Sequence, residues 1–354
     1  MHLKVSRAEA EAAKRMLSKF GMLGKGISVQ HRGSYVYFPL SNIDRRKVKK
    51  VLEACGASIS EMAPRPGKTR DYKGGLESAL GADVAHSVDT GYDHLGNIAV
   101  IDPDGMTKAQ EKVLAKHILA ANGAITTVLA KGGPVEGVYR VRKVRHVLGK
   151  RTFEARYREH GCVYDFDVRK TFFSARLAYE RARIAELARH DRHIIVMFAG
   201  IGPFAIQIAK RNWAAKVIAI ELNRYACRQM DEEIRLNRTT NVMPVQGDVK
   251  KMGGRYDGFA DRIVMPLPKT STRFLDEAFA MARDGCVVHF YSFIKMGGLP
   301  QLIGEIREHA RLNSCSVKVL FTRTVRNYSA REIEVVVDYR INRIKKARPS
   351  RSTA

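Results

Sequence analysis

A loop at Ala199–Phe204 has the residue types that hold a nucleotide-like cofactor. It follows a short apolar segment and leads into a helical pattern. Gly200 and Gly202 allow the backbone to approach a ligand closely, and Pro203 suits the first turn of the following helix. Open α/β sheets bind ligands where such loops leave the carboxyl ends of the strands. The loop therefore predicts a cofactor site, although tight turns alone would have the same composition.

Two acidic residues strengthen this prediction. Glu221 ends the next predicted strand, about twenty residues on, where an acid that binds ribose hydroxyls is expected. Asp248 follows the third strand. Acids after both strands suit a nucleoside with free hydroxyls and an exocyclic amine. Ala205 and Ile206 occupy the place of the third glycine of a dinucleotide fingerprint, which favours S-adenosylmethionine over NAD.

The elements around these residues alternate between helices and strands from Ser174 onward. Short apolar strands separated by helices predict a parallel, doubly wound α/β sheet of the Rossmann-like kind. Two final strands, Val317–Phe321 and Ile333–Tyr339, have only a loop between them. They predict an antiparallel hairpin at one edge of the sheet.

The chain before this domain predicts two small α+β domains. Residues 1–63 form the first, in which a capping box at Ser6 begins one helix and a second helix begins near Ser41 or Asn42. Residues 64–75 have the Pro, Gly and basic content of a linker. Residues 76–165 form the second α+β domain, 166–342 the α/β domain, and 343–354 a basic tail.

The charge balance indicates a polyanionic partner. Sixty-two Lys and Arg face thirty-six Asp and Glu, a formal net charge of +26. Self-repulsion makes such an excess costly for an enzyme of a small neutral substrate. Nucleic acid is therefore favoured, with a generally basic proteome as the alternative.

The remaining composition indicates the setting of the protein. The chain contains no long apolar run and no secretory pattern at its start, so we expect a cytoplasmic protein. The five cysteines are scattered without metal-ligand spacing. We expect them to be small core residues rather than metal ligands or catalytic thiols.

Several motifs occur in one order along the chain: Arg169–Leu177, Met197–Phe204, Asp261–Pro268 and Val325–Glu332. Together they resemble the archaeal and eukaryotic tRNA (guanine-37 N1)-methyltransferases. The segments at 127–131 and 137–142 resemble the same family, and the resemblance covers roughly residues 76–341. It implies a class I methyltransferase domain that uses S-adenosylmethionine.

The resemblance also implies the partner and the assembly. The second domain would grip the anticodon stem-loop of tRNA, and the small N-terminal domain would contact the outer corner. A monomer without an obligate protein partner or a membrane partner suits the family.

The resemblance further implies roles for individual residues. Arg140 matches the arginine that stabilises charge on guanine O6, Glu180 the general base at N1, and Pro268 the proline beside the target base. A base is needed because guanine N1 carries a proton, and a placed guanidinium stabilises the charge that then builds on O6. The positions expected to contact the cofactor are Phe173, Arg176, Met197, Ala199, Gly200, Gly202, Phe204, Glu221 and Asp248.

The residues by themselves leave other interpretations open. Glu180 has Arg176 and Arg183 at helical spacings of four and three, so a surface ion pair would explain it. Arg140 lies in a basic predicted strand, where contact with phosphate or solvent is the alternative.

Two positions depart from the family pattern. Val196 stands where an acid usually ends the first strand, and Pro266 replaces the asparagine of an Asn-Leu-Pro motif. Changes at an active site can signal altered chemistry. Aminocarboxypropyl transfer, methylation of a wyosine precursor and non-catalytic tRNA binding therefore remain alternatives. The retained Arg140 and Glu180 favour methyl transfer to N1.

Overall fold

The computed structural model describes residues 2–6, 9–23, 29–32, 34–41, 43–60, 91–133, 141, 143–252, 254–329 and 331–344. These residues fall into two compact units. One takes its residues from ranges 1–90, 103–125 and 147–149, and the other from 91–102, 126–146 and 150–354. The predicted linker at 64–75 and residues 345–354 of the predicted tail lie outside the described part of the chain.

The first unit contains a four-stranded antiparallel sheet in the order β2-β3-β1-β4. Its elements are β1 (His2–Ser6), α1 (Ala10–Lys19), β2 (Gln30–Arg32), β3 (Tyr35–Pro39), α2 (Arg45–Cys55), β4 (Ser58–Ser60) and, further along the chain, α3 (Lys108–Ala121).

Two helix starts in this unit differ from the prediction. Helix α1 begins at Ala10, after the predicted capping box. Ser6 Oγ accepts a hydrogen bond from Glu9 N at 3.4 Å, which is one of the two bonds of that box, but this bond lies before the first helical residue. Helix α2 begins at Arg45 rather than near Ser41, because Asp44 is the residue whose carboxylate accepts the free N–H groups of the first turn.

Four short strands form a second sheet. β5 (Tyr92–Leu95), β6 (Ile98–Ile101), β7 (Thr127–Lys131) and β8 (Val144–Gly149) form a sheet in that order. β9 (Glu154–Glu159) and β10 (Cys162–Asp167) form a separate antiparallel hairpin. Its turn contains His160 and Gly161, which have φ values of 44° and 77°.

A seven-stranded sheet dominates the second unit, in the order β13-β12-β11-β14-β15-β17-β16. The first five strands in this order are parallel, and β17 pairs antiparallel with both β15 and β16. The predicted Rossmann-like α/β fold with an antiparallel edge hairpin is confirmed. The strands are β11 (His193–Met197), β12 (Lys216–Glu221), β13 (Val242–Gln246), β14 (Ala260–Met265), β15 (Ala282–Lys295), β16 (Cys315–Asn327) and β17 (Glu332–Arg343).

Helices cover both faces of this sheet and create two cores. Ile195 of β11 belongs to one core with Ile218 and Ile263, whereas Ile194 belongs to the other with Val217. Burial on both faces explains why the central strands are nearly continuous apolar runs. The helices are α4 (Ala178–Leu187), α5 (Pro203–Arg211), α6 (Arg224–Asn237), α7 (Leu275–Met281) and α8 (Leu299–Leu312).

All five cysteines are free and buried, which confirms their prediction as core residues. Within the described ranges, no helix has both the length and the apolar character needed to cross a membrane.

Candidate functional site

A cavity of about 450 Å³ opens at the carboxyl ends of the parallel strands. Its walls come from the segments that follow β11, β12, β13 and β14, and from residues 172–174 before α4. The volume falls within the range of small-molecule sites, and the position is where open α/β sheets bind ligands. The predicted residues that line it are Phe173, Ala199, Gly200, Phe204, Glu221 and Asp248.

The loop after β11 turns sharply through three left-handed residues. Phe198, Gly200 and Gly202 have φ values of 54°, 58° and 84°. A Cβ atom on Gly202 would lie 2.8 Å from Cγ of Met230. Both the positive φ and this lack of space therefore favour glycine at position 202. The left-handed conformation of Phe198 costs about 1–3 kcal/mol. Its ring packs edge-on against Phe274 at 4.7 Å, which places both aromatic rings in the cavity wall.

Glu221 fixes this loop from the end of β12. Its Oε2 accepts a hydrogen bond from Gly200 N at 2.7 Å, and its Oε1 accepts one from Asn223 N at 2.7 Å. Burial raises the pKa of Glu221, while the backbone N–H donors oppose that shift. Each carboxylate oxygen has a second lone pair, so Glu221 can hold the loop and also accept ligand hydroxyls.

Asp248 begins the segment after β13. Its Oδ1 accepts a hydrogen bond from Lys250 N at 3.0 Å and so caps the short 3₁₀ turn Val249–Lys251. The Lys250 ammonium lies 5.5 Å from the ring centre of Phe274. The cavity thus combines two carboxylates with aromatic walls and a nearby cation.

Arg181 supports the wall opposite the glycine loop. It is buried and makes a bidentate ion pair with Glu159, at 2.5 and 2.7 Å, and its Nη1 donates to Ser174 O at 3.0 Å. Its guanidinium lies 5.0 Å from the ring centre of Phe173, which also stacks on Phe166 at 4.8 Å. These contacts lock Phe173 and Ser174 in the cavity wall.

Glu180 lies on α4 in a buried network of charges, with 1% of its surface exposed. Its Oε2 accepts from Nε and Nη2 of Arg183, at 3.0 and 2.8 Å, and from the Tyr291 hydroxyl at 2.9 Å. Its Oε1 accepts from Arg323 Nη1 at 2.9 Å. The ion pair with Arg183 is the one that helical spacing predicted, but it is buried rather than on the surface. Arg176 instead pairs with Asp93 at 2.8 Å.

Glu180 is connected to the cavity wall through Tyr291. The Tyr291 hydroxyl donates to Glu180 Oε2, and the Tyr291 ring centre lies 5.9 Å from that of Phe204 in the cavity wall. Leu177, three residues before Glu180, also lines the cavity. Tyr291 therefore bridges the Glu180 carboxylate and the wall that carries Phe204.

The other predicted site residues lie around the cavity. Met197 is buried in the core at the end of β11, and Gly202 is the N-cap of α5. Pro268 accepts a hydrogen bond from Phe293 N at 2.9 Å through its carbonyl oxygen. Arg140 lies outside the described residues.

Sequence reasoning missed several cavity residues. Asn223 and Lys250 follow strand ends, and this position could have indicated them. Phe172, Phe198 and Phe274 are far apart in the sequence, and only the fold brings them together. The further lining residues that were not predicted as binding residues are Ser174, Leu177, Arg181, Pro203, Ile220, Leu222, Ala226, Gly247, Val249, Pro266, Leu267, Lys269, Thr270 and Arg273.

Comparison with known families gives this site its context. Residues 155–319 match the TRM5/TYW2 methyltransferase domain, and residues 72–152 match the TYW2 N-terminal domain. The chain is 32% identical to the tRNA (guanine(37)-N(1))-methyltransferase Trm5b of Pyrococcus abyssi over 341 residues, which is 96% of this chain and 98% of that protein. The chain belongs to the TRM5/TYW2 family of methyltransferases. The resemblance stated from the motifs is thereby confirmed.

A wyosine-pathway enzyme is also similar to this chain. The tRNA 4-demethylwyosine(37)-methyltransferase Taw21 of Saccharolobus solfataricus is 32% identical over 249 residues, covering 70% of this chain and 92% of that protein.

Solved structures agree with the fold. A crystal structure of P. abyssi Trm5b has a TM-score of 0.69 at 30% identity and covers 96% of this chain and 99% of that one. A complex of aTrm5 with tRNALeu has a TM-score of 0.67 at 25% identity, covering 97% and 100%. Methanocaldococcus jannaschii TYW2 in complex with AdoMet has a TM-score of 0.57 at 25% identity, covering 72% and 100%. The chain therefore has the fold of class I methyltransferases, and its family points to binding of S-adenosylmethionine-type cofactors.

Proposed function

We propose that the protein transfers the methyl group of S-adenosylmethionine to N1 of guanosine 37 in tRNA, beside the anticodon. The observation that carries the proposal is the juxtaposition of two features. One is a cavity with Glu221 and Asp248 after consecutive strands, and the other is the buried carboxylate of Glu180, which Tyr291 connects to the cavity wall at Phe204. Membership of the TRM5/TYW2 family and the net charge of +26 support tRNA as the substrate.

The residues present fit S-adenosylmethionine. Glu221 and Asp248 offer acceptors for the hydroxyls and the amine of an adenosine, and Phe198 and Phe274 offer aromatic surface. The predicted contacts of Phe173, Ala199, Gly200 and Phe204 belong to the same walls. Met197, Gly202 and Arg176 would act from behind these walls, by shaping the loop and the segment before α4. When bound, the cofactor supplies an electrophilic methyl group on a sulfonium.

Glu180 is the proposed general base. Guanine N1 becomes a competent nucleophile only when its proton has a carboxylate to move to. The Oε2 atom is held by Arg183 and Tyr291, so the carboxylate is fixed in orientation before any substrate arrives. In this proposal Arg140 stabilises the charge on O6 and Pro268 lies beside the target base.

The domains take the corresponding roles in the proposal. The methyltransferase domain, residues 166–342, carries the chemistry. Residues 76–165 grip the anticodon stem-loop, and residues 1–63 contact the outer corner of the tRNA. A target base must leave its stack to reach such a cavity, which is easiest in a loop. We propose that a cytoplasmic monomer suffices, since residues from this one chain make up the cavity.

Pro266 favours a second candidate reaction. It lines the cavity where the family motif has asparagine, so a side-chain amide that could bond a guanine edge is replaced by an apolar ring. An apolar wall suits a tricyclic wyosine precursor, and Taw21 is 32% identical over 249 residues. Methylation of that precursor is therefore the alternative reaction at this site.

One experiment separates these candidates. Undermodified tRNA, with and without the tricyclic precursor, is incubated with the protein and S-adenosylmethionine, then digested to nucleosides for mass spectrometry. 1-Methylguanosine supports the proposal. A methylated wyosine derivative alone would establish the alternative, and binding of tRNA without any product would indicate a non-catalytic protein.

Glu180→Gln tests the base. The amide cannot accept the N1 proton, so methyl transfer should fall by about 10²–10⁴-fold. Cofactor affinity, measured by calorimetry, should stay within about twofold because Glu180 does not line the cavity. Glu232→Gln on α6 removes a charge from an exposed carboxylate and serves as the control. A fully active Glu180→Gln variant would remove Glu180 from the mechanism.

A further inference from the structure

The two oxygens of the Glu180 carboxylate have different surroundings. Oε2 accepts three hydrogen bonds, from Arg183 Nε and Nη2 and from the Tyr291 hydroxyl. Among the residues that the structure describes, Oε1 accepts from Arg323 alone, at 2.9 Å. Oε1 keeps a second lone pair that could take a proton, but only 1% of the Glu180 surface is exposed, so a substrate cannot reach it. One of the groups that cover the carboxylate must therefore move before Glu180 can act as a base.

The partners of Oε2 are built into the core. Arg183 also donates from Nη1 to Asp338 Oδ2 at 2.6 Å, and Asp338 Oδ1 lies 2.7 Å from His289 Nδ1. Arg262 Nη1 lies 2.5 Å from His289 Nε2. A guanidinium can only donate, so Nε2 is the acceptor and Nδ1–H donates to Asp338. Burial lowers the pKa of His289, in agreement with this neutral ring.

The Oε2 side is therefore a fixed support. Tyr291, His289 and Asp338 are all buried, and removing any one of them would leave a buried charge or donor without its partner. Burial also raises the pKa of Tyr291 well above its ordinary value, so the hydroxyl keeps its proton and remains a donor.

Arg323 differs from these partners in its exposure. It lies on β16, the edge strand of the sheet, and 37% of its side chain is exposed, against 14% for Arg183. Its guanidinium stacks at 4.1 Å on the ring of Tyr179, which is 61% exposed. Of the groups on Glu180, Arg323 is the one that a ligand in solution can reach.

We propose that Arg323 covers Oε1 of Glu180 in the free protein and moves to a backbone phosphate of the RNA when the substrate binds. This inference rests on the proposed function, since it concerns the base of that reaction. Phosphate and carboxylate oxygens present the same geometry to a guanidinium, so the exchange replaces one charge-assisted contact with another. Arg323 is thus a positioning residue that makes the base available only in the complex.

The proton transfer then balances at Oε1. The N1–H bond of guanine breaks as an O–H bond forms on Oε1. The electron pair left on N1 forms the new bond to the methyl carbon, and the electron pair of the broken S–C bond stays on the sulfur of the cofactor. Arg323 keeps its charge throughout. Arg183 on α4 and Asp338 on β17 also keep theirs. Tyr291 on β15 keeps its hydroxyl proton and its bond to Oε2.

The test measures single-turnover methylation with full-length protein, tRNA transcript and S-adenosylmethionine. The rate at saturating tRNA reports steps within the complex, and the tRNA dissociation constant, measured over a series of salt concentrations, reports the phosphate contacts. If Arg323 has left Glu180 in the complex, its side chain should affect tRNA binding and not the saturated rate.

Arg323→Gln should keep the saturated rate within about twofold of the wild type, because Arg323 is already absent from Glu180 in the complex. The tRNA dissociation constant should rise, and the salt slope of binding should fall by about one phosphate contact. Arg323→Lys keeps the charge and should keep the salt slope. Lys318→Gln, an exposed cation on the same strand, controls for the loss of one charge and should leave the saturated rate unchanged.

Two results would overturn the inference. If Arg323→Gln changes the saturated rate and Arg323→Lys restores it, the guanidinium stays on Glu180 in the complex. An unchanged salt slope excludes the phosphate contact. Failure of the proposed function has a different signature: no product from wild-type protein, or full activity of Glu180→Gln, refutes both.

Discussion

Replacing Glu221 by glutamine tests how one carboxylate supports both the loop and the cofactor. The side chain keeps its shape but exchanges one oxygen for an amide group. Because Gly200 N and Asn223 N each donate to a different oxygen at 2.7 Å, one of these donors must then face another donor. We expect the free protein to lose about 2–4 kcal/mol of unfolding free energy. Leaving a buried donor without its acceptor costs about 1–3 kcal/mol, and the loss of charge weakens the second bond.

The effect on cofactor binding follows from the same exchange. A hydrogen bond to a charged acceptor contributes about 1.5–3 kcal/mol. If one hydroxyl contact of the cofactor is lost, the dissociation constant for S-adenosylmethionine should rise about 10- to 150-fold. Isothermal titration calorimetry measures this constant directly, and urea unfolding measures the stability of the free protein.

The pH dependence gives an independent check. Burial raises the pKa of Glu221, so protonation on acidification begins above the range of an exposed glutamate. Cofactor affinity of the wild-type protein should fall through that window, whereas the glutamine variant should show no such fall. Glu232→Gln has the same charge change on an exposed part of α6 and should bind like the wild type. Equal affinities for Glu221→Gln and Glu232→Gln would refute the assignment of Glu221 to the cofactor.

Three further substitutions test the framework of the protein. Gly202→Ala should lower the unfolding free energy by about 2–3 kcal/mol, because φ is 84° and the new Cβ meets Met230. Gly304→Ala lies in the middle of α8, where the new Cβ meets no atom within 4 Å. It should raise the unfolding free energy by about 0.5–1 kcal/mol in the same urea assay. Burial raises the pKa of Glu233 from 4.5 to about 7, so its contribution to folding is fully present below pH 4.5 and is lost as the pH rises through 7. The unfolding free energy of Glu233→Gln should therefore equal that of the wild type near pH 4 and exceed it by up to about 3 kcal/mol at pH 8. Urea unfolding at the two pH values measures this difference, and an equal difference at both would contradict the prediction.

Much of the fold could be predicted because burial leaves a pattern along the chain. The parallel strands of the methyltransferase domain are apolar on both faces, and their order of helices and strands fixes the wound sheet. Two acidic residues of the cavity wall could be predicted as well, since Glu221 and Asp248 follow strands. Helix α2 was misplaced because Ser41, Asn42 and Asp44 are all good N-cap residues, and the sequence does not show which one the chain uses.

The hairpin edge was harder to predict. Strands β16 and β17 were expected at Val317–Phe321 and Ile333–Tyr339 but span Cys315–Asn327 and Glu332–Arg343. The polar residues at the ends of these strands have the composition of loops, but pairing with neighbouring strands keeps the backbone extended. The contact of Arg323 with Glu180 joins residues 143 positions apart, and neither spacing nor composition indicates it.

The register of these three strands explains how the edge hairpin builds the surroundings of Glu180. Tyr291 of β15 and Arg323 of β16 both pair with Val336 of β17, so the two donors to Glu180 lie in one row across the sheet. Directly opposite residues share a face, which turns both side chains toward α4.

The neighbouring row serves the next position along the helix. His289, Asp338 and Phe321 are in register, and Asp338 and Phe321 contact Arg183, three residues after Glu180. Irregularities between Val319 and Phe321 and between Thr324 and Arg326 bracket this part of β16. A slip of one residue would turn Arg323 to the opposite face. The antiparallel edge is therefore part of the machinery of the site, because its register places one fixed and one exchangeable donor on the same carboxylate.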